Sequence, residues 1–327
     1  MQGLPNNLSN APLPLSKTNV FKFPKRYLSA IIQAPIIFRM IKMWHSSAKP
    51  FTWKAFTSAA LALTLAACST PEKTPLTLHV FDCGEIEVRD ESLFSPGVNK
   101  GKVKNMVNSC YLIQHEKGTL VWDAGLNDAV GAEGTEAMGG AFFMRVPKTL
   151  ISQLNDISVK PQDIDYLGIS HFHGDHTGNA NLFTGASLII QQEEYAAAFG
   201  DEAAKFGFEA SSYKQLDRDK IKVINGDHDV FADGSVIIKR APGHTPGHQV
   251  LFLNLAETGP VVLSGDLYHF TSNRTHQRVP SFNFNKEQTL AAMADIEAFV
   301  KEKGAQLWIQ HDLEQNAQIK HSPEFYR

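Results

Sequence analysis

Apolar residues recur along residues 76–312 in two rhythms, short β-type runs and longer helical stretches. Leu76-Thr77-Leu78-His79-Val80-Phe81 reads as a strand. Ser109–Gln114 and Thr119–Trp122 read as a hairpin turning near Lys117-Gly118. Tyr166–Ser170, Leu188–Ile190, Val236–Ile238, Gln249–Leu253, Val261–Leu263 and Leu307–Ile309 are further β-type runs. Leu150–Ile157 and Glu193–Phe199 read as helical. The clearest helix spans Asn285–Lys303: Asn285 is its N-cap, Gly304 ends it, and Leu290, Met293, Ile296 and Val300 fall three or four apart on one face. Strands alternating with helices predict an α/β domain. Residues 125–146 are Gly- and Ala-rich with little periodicity, then turn oily at Phe142-Phe143-Met144.

Composition narrows the class without deciding it. The chain has 327 residues, 43% hydrophobic and 20% charged, the balance of an ordinary soluble enzyme. Its formal net charge of −3 gives no electrostatic reason to expect nucleic acid. Three cysteines exclude a disulfide scaffold. Cys83 and Cys110 adjoin strands, where they either pair or remain as buried thiols.

The N-terminal quarter reads differently. Lys49 and Lys54 precede an apolar run, Ala55–Ala67, too short to span a membrane and ending in Leu65-Ala66-Ala67-Cys68. A basic segment, a short apolar one and small residues make a secretory signal. Leu-Ala-Ala-Cys resembles a bacterial lipobox, which implies lipidation of Cys68. Ser69 resembles the outer-membrane sorting pattern. Residues 1–42 lie upstream of a signal that should begin the protein, with Met40 or Met43 as a natural start. The expected order is therefore a 1–42 extension, a 43–67 signal, a 68–75 tether and a 76–327 folded domain.

Chemistry concentrates in His171-Phe172-His173-Gly174-Asp175-His176, three imidazoles and one carboxylate directly after a β-type run. Side chains two apart on extended backbone point the same way, so His171 and His173 can grip one ion, while Asp175 and His176 follow a glycine where the chain can turn. This His-x-His-x-Asp-His run resembles the signature of the metallo-β-lactamase superfamily. Gly243-His244-Thr245-Pro246-Gly247-His248, Ser264-Gly265-Asp266 and Gln310-His311-Asp312 resemble its later ligand loops, in the same order. The resemblance implies a four-layer αβ/βα sandwich with two divalent metal ions, zinc by expectation. His171, His173 and His244 would hold one ion, Asp175, His176 and His311 the other, and Asp266 would bridge. A hydroxide shared by the ions would attack, with Asp175 also passing a proton. Asp123 would either support the site from behind or cap a turn, and His248 would order its loop.

Within the superfamily, several stretches resemble the N-acyl-homoserine lactone lactonases. They are Phe81-Asp82-Cys83-Gly84, Asn108-Ser109-Cys110-Tyr111, Leu120-Val121-Trp122-Asp123-Ala124-Gly125 and Gly265-Asp266-Leu267-Tyr268-His269. The likeness implies hydrolysis of an acylated lactone, with Phe142–Met144 either lining the acyl chain or serving as core. Many such lactonases place a tyrosine three positions after the bridging aspartate; here that position is His269, with Tyr268 beside it. His269 can donate an equivalent hydrogen bond, and Tyr268 is the lesser substitute. A homodimer is a further implication, as is a lipid-anchored place in the bacterial envelope. A glyoxalase II-type thioesterase would use the same ligands but expects more chain after His311, where sixteen residues follow. The commonest zinc β-lactamases would place cysteine at Asp266, and a mono-iron persulfide dioxygenase would use only part of the set.

Overall fold

The computed structural model describes residues 75–327. The 1–42 extension, the 43–67 signal and Cys68 lie outside the described residues. The elements in chain order are β1 (Thr77–Val88), β2 (Lys104–His115), β3 (Gly118–Trp122), β4 (Thr135–Ala137), β5 (Phe142–Arg145), α1 (Leu150–Asp156), β6 (Tyr166–Gly168), α2 (Gly174–Thr177), β7 (Ser187–Gln191) and α3 (Gln192–Phe199). There follow β8 (Lys222–Ile224), β9 (His228–Asp229), β10 (Val236–Arg240), β11 (Gln249–Leu255), β12 (Gly259–Leu263), α4 (Thr271–His276), α5 (Lys286–Lys303), β13 (Gln306–Trp308) and α6 (Leu313–Asn316).

Two sheets result, an eight-stranded one ordered β4-β5-β1-β2-β3-β6-β7-β8 and a five-stranded one ordered β13-β12-β11-β10-β9. Alternation along each strand assigns its two faces. Leu78 and Val80 of β1 and Tyr111 and Ile113 of β2 meet Leu251, Leu253, Val261 and Leu263 of the second sheet in one buried cluster. The opposite residues, Phe81, Cys110 and Leu112, pack with Leu150 and Leu154 of α1. On the far side, Val250, Phe252 and Val262 pack under Met293, Ile296 and Val300 of α5. The layers are helix, sheet, sheet, helix, the sandwich expected. Asn285 caps α5 by accepting from the Gln288 N–H, and Gly304 closes it in the left-handed region at φ 62°.

Several segments depart from expectation: β2 begins at Lys104 rather than Ser109, and β8, β9, α4 and α6 were not expected. β1 runs seven residues past Phe81, through a register shift between Asp82 and Glu85. Residues 125–146 hold more regular structure than their weak periodicity suggests: β4 and β5 make a hairpin, and Phe142, Phe143 and Met144 pair with Val88, Glu87 and Ile86 of β1. Phe142 and Met144 are partly buried against the cluster of Ile86, Val88, Phe94 and Phe270. Cys83 and Cys110 pair as a disulfide between β1 and β2, with Cα atoms 5.8 Å apart.

Candidate metal centre

Each expected ligand follows a strand end, so rigid sheet edges aim the side chains into one place. His171 and His173 follow β6, and Asp175 and His176 ride on the single turn of α2. His244 follows β10, Asp266 follows β12 and His311 follows β13. Gly265 adopts φ 48°, and a Cβ there would lie 2.7 Å from His248 Nε2 and 2.9 Å from Ser170 Cβ. Only glycine lets the backbone before Asp266 approach that closely.

Seven side chains converge as two sets. In the first, His171 Nε2 lies 2.8 Å from His173 Nδ1, and His244 Nε2 lies 3.2 and 3.1 Å from those two atoms. In the second, His176 Nε2 is 3.3 Å from His311 Nε2, and Asp175 Oδ2 is 3.7 Å from both. Asp266 stands between them. Its Oδ2 faces His244 at 3.2 Å and His171 at 3.6 Å, while its Oδ1 faces His311 at 3.0 Å and His176 at 3.2 Å. Three ring nitrogens in a closed triangle cannot satisfy one another: a single proton serves one edge, and at least two lone pairs are left facing. A cation at the centre satisfies all three at once, so the donors fit a metal ion on chemical grounds. The second set and the split carboxylate fit a second ion in the same way.

The outer nitrogens of His173, His176 and His311 are tied down, which selects the inward atom of each. His176 Nδ1 donates to Asp123 Oδ2 at 3.0 Å and His311 Nδ1 donates to the Val107 carbonyl at 2.8 Å, freeing both Nε2 atoms. His173 is turned round, with Nε2 on the Phe206 carbonyl at 3.1 Å and Nδ1 inward. Asp123 also accepts from the Ser170 N–H at 2.6 Å and from Gln310 Nε2 at 2.9 Å. It therefore supports the site from behind, rather than only capping a turn. His248 donates Nδ1–H to the Ala241 carbonyl at 2.9 Å, and its Nε2 accepts the Asp266 N–H at 3.0 Å, so it orders the bridging loop. Burial drives the His171 imidazole well below its ordinary range and His173 to about 3. Burial also works against a charged His176, but Asp266, Asp175 and Asp123 outweigh it and raise that imidazole well above the usual value. Asp266 is held well below the carboxylate range, since His269, His311 and His176 overcome the opposing effect of burial.

The two remaining candidates separate. His269 reaches the site: its Nε2 lies 3.0 Å from Asp266 Oδ2, and its ring stacks parallel to His311 with centroids 5.7 Å apart. Tyr268 does not, and the expectation that it substitutes in catalysis is corrected. Its hydroxyl donates to Glu297 Oε1 at 3.1 Å, on the α5 side, because successive residues at this strand-like point face opposite ways. Aromatic rings rim the centre, and Phe142 of the Phe142–Met144 strand adjoins them through Phe94, 6.1 Å between ring centroids. Phe282, 47% exposed, lies 6.3 Å from the His244 ring and 5.2 Å from Phe94, which itself touches His269 at 4.7 Å. Phe284 lies 5.7 Å from Phe206. Sequence reasoning gave no role to Ser170, Asn108, Gln310 or Glu194. Asn108 donates to the Asp175 carbonyl at 2.7 Å and Gln310 to the Ser109 carbonyl at 2.6 Å. For Ser170, Asn108 and Gln310, position beside ligands or inside quoted motifs was the available signal; Glu194 had none.

Residues 104–298 match the description of the metallo-β-lactamase superfamily. The chain belongs to the metallo-β-lactamase superfamily. Within this superfamily it is 30% identical over 244 residues to an N-acyl homoserine lactonase of Bacillus thuringiensis, covering 72% of this chain and 93% of that protein. It is 28% identical over 229 residues to an N-acyl homoserine lactonase of Azorhizobium caulinodans, covering 66% of this chain and 86% of the relative. Among solved metallo-β-lactamase folds, an N-acyl homoserine lactone hydrolase with N-hexanoyl-L-homoserine bound at its catalytic metal centre matches with a TM-score of 0.68. That match is 27% identical, over 77% of this chain and 99% of the other.

Proposed function

We propose that this protein is a dinuclear metal-dependent hydrolase that opens the ring of N-acyl homoserine lactones. One observation carries the reading: Asp266 divides its two oxygens between two imidazole sets, in a chain that spans 93% of a lactonase it resembles. Two divalent cations there would supply an activated water and a polarised carbonyl.

The chain's own residues supply the rest. The Nε2 of His269, the imidazole beside the donors but outside both sets, lies 3.0 Å from Asp266 Oδ2; with that oxygen engaged by a cation, its N–H would be released to donate to the lactone oxygen. Asp175 has a side chain 23% exposed, against 5% for Asp266, and so faces the open side. It takes a proton from water and delivers it to the ring oxygen as the acyl C–O bond breaks. The products are one carboxylate and one hydroxyl on the same molecule, with the second water proton released to solvent. Phe282, Phe284 and Phe206 give the acyl chain an apolar rim.

We take the ions to be Zn²⁺, which suits imidazole and carboxylate donors. Lipidation of Cys68, an outer-membrane location and pairing into a homodimer belong to the same reading and rest on sequence resemblance. The Cys83–Cys110 disulfide is in keeping with an oxidising compartment. No nucleic acid partner is proposed.

The test is ring opening. The Zn²⁺- or Co²⁺-loaded protein is followed by proton release on short- and long-chain acyl-homoserine lactones, beside S-lactoylglutathione and a β-lactam, with Asp266→Ala as the blank. Lactone hydrolysis lost in the variant is the expected result. Intact lactones with a cleaved thioester or β-lactam would overturn the substrate while leaving the metal site.

A further inference from the structure

A buried carboxylate lies behind the first imidazole set without belonging to it. Glu194, on α3, is 1% exposed. Its Oε1 accepts the Phe172 N–H at 3.0 Å, and its Oε2 accepts the Gly247 N–H at 2.8 Å. Phe172 sits between the ligands His171 and His173, and Gly247 lies three residues past His244 in the same loop. The two contacts thus reach the two segments that build the first set, which are 73 residues apart at His171 and His244.

The residue type matters. Two backbone donors converge on one side chain, and only a carboxylate presents an acceptor at both ends. Glutamine would present one acceptor and one amide donor, leaving an N–H facing an N–H. A backbone N–H left buried without a partner is costly enough to shift a loop. Gly247 closes the arrangement from the other side: a Cβ there would stand 2.4 Å from Glu194 N and 2.7 Å from Glu194 Cβ. No salt bridge among the described residues joins Glu194 to a cation, and burial pushes its carboxyl up to about 7. A fold that keeps an acid at that cost in desolvation is using its two acceptors.

We propose that Glu194 is a positioning residue that clasps the His171–His173 turn to the His244 loop and so holds the three imidazoles of the first set at the spacing a cation requires. The proposal rests on the metal-centre reading but not on the lactone. Its consequence is selective. The second set, Asp175, His176 and His311, is braced by Asp123, Gln310 and the Val107 carbonyl, none of which touches Glu194.

The test compares wild type with Glu194→Gln and Glu194→Asp. Stepwise Zn²⁺ affinities come from chelator competition, the Co²⁺ visible spectrum reports ligand geometry, and metal-free thermal unfolding checks the fold. Glu194→Gln is expected to weaken one of the two ions about 10–100-fold, the range for residues that orient metal ligands, and to leave the other unchanged. The Co²⁺ bands of the weakened site should shift, and activity should return at excess metal. Glu194→Asp keeps two acceptors on a shorter arm and should show a smaller loss in the same ion; should Glu194→Gln not fold, this variant carries the test. Unchanged affinities for both ions with only a lower unfolding temperature would overturn the proposal, as would equal loss of both. A failed lactone assignment would show in the wild type, a failed clasp only in the variants.

Discussion

Asp266 shows how far one residue's surroundings determine its work. Four imidazoles lie within 3.6 Å of its two oxygens, and a fifth, His269, donates from 3.0 Å. That fifth contact separates two neighbours whose roles the sequence left adjacent. His269→Ala is expected to lower kcat about 10²-fold, the scale of a positioned proton donor, with both ions retained by metal analysis. Tyr268→Phe should leave kcat unchanged and cost about 1 kcal/mol in denaturant unfolding, for the lost bond to Glu297. A large kcat loss in Tyr268→Phe would refute the assignment. The imidazoles also set a pH dependence. Burial lowers His171, takes His173 and His248 to about 3, and takes His269 to about 4. Unfolded, such groups titrate near about 6.5, so below that pH the unfolded chain binds more protons than the folded one. Their contribution is therefore complete above that pH and is lost as pH falls toward about 4. His176 and His311 are raised instead, are protonated in both states over that window, and do not offset the loss. Thermal scans of metal-free protein should show an unfolding temperature that falls steadily from pH 6.5 to 4; a flat profile would contradict the burial. The converging side chains themselves were legible because His and Asp crowd after β-type runs. Glu194 was not, because no pattern in a short helix shows which charged residue is turned inward.

The elements position these residues through their ends, and the lead-in to α5 is the clearest case. Asn285 caps the helix, its own N–H donates to the Gly243 carbonyl at 2.8 Å, and the Phe284 N–H donates to the His244 carbonyl at 3.1 Å. The same segment carries Phe282 over the His244 and His269 rings. An acyl chain crossing that rim would bury apolar area on Phe282, worth about 1.5 kcal/mol, or roughly tenfold. Phe282→Ala should therefore raise KM for long-chain lactones about tenfold with kcat nearly unchanged, and hardly affect the shortest chains. Steady-state kinetics across a chain-length series decides it. A uniform loss at every length would place the chain elsewhere. Legibility at this scale followed strength of pattern. α5 was read with its correct cap because four apolar positions and two cap residues agree. The β4–β5 hairpin was not, since Thr135–Ala137 and Phe142–Arg145 are short, partly exposed and separated by glycines. β1 was read short because the register shift after Asp82 interrupts the alternation that reveals a strand.

At the scale of the molecule, the metal centre lies where two sheets present strand ends to each other, so the relation between the sheets becomes a determinant of activity. The four layers were legible through the family resemblance; the tie between the sheets at the far end was not, since backbone bonds carry no side-chain pattern. The C-terminal residues make that tie. Tyr326 exchanges two backbone bonds of 2.9 Å with Leu78 of β1, and the Ser322 N–H donates to the Val80 carbonyl at 2.8 Å. The Arg327 carbonyl then accepts from Glu257 and Thr258, at the turn between β11 and β12 in the other sheet. Tyr326 packs on Trp308 with ring centroids 4.9 Å apart, and Phe325 lies on His79 at 5.2 Å. Five backbone bonds at about 0.5–1.5 kcal/mol each and two partly buried rings make removal of residues 322–327 cost on the order of 4 kcal/mol, less whatever water recovers. None of those contacts reaches a ligand. Truncation before Ser322 is therefore expected to lower the unfolding temperature by many degrees while kcat per bound pair of ions stays near that of the full chain at low temperature. If kcat fell with stability intact, the tail would be acting on the metal centre, and the far-end tie would not be its role.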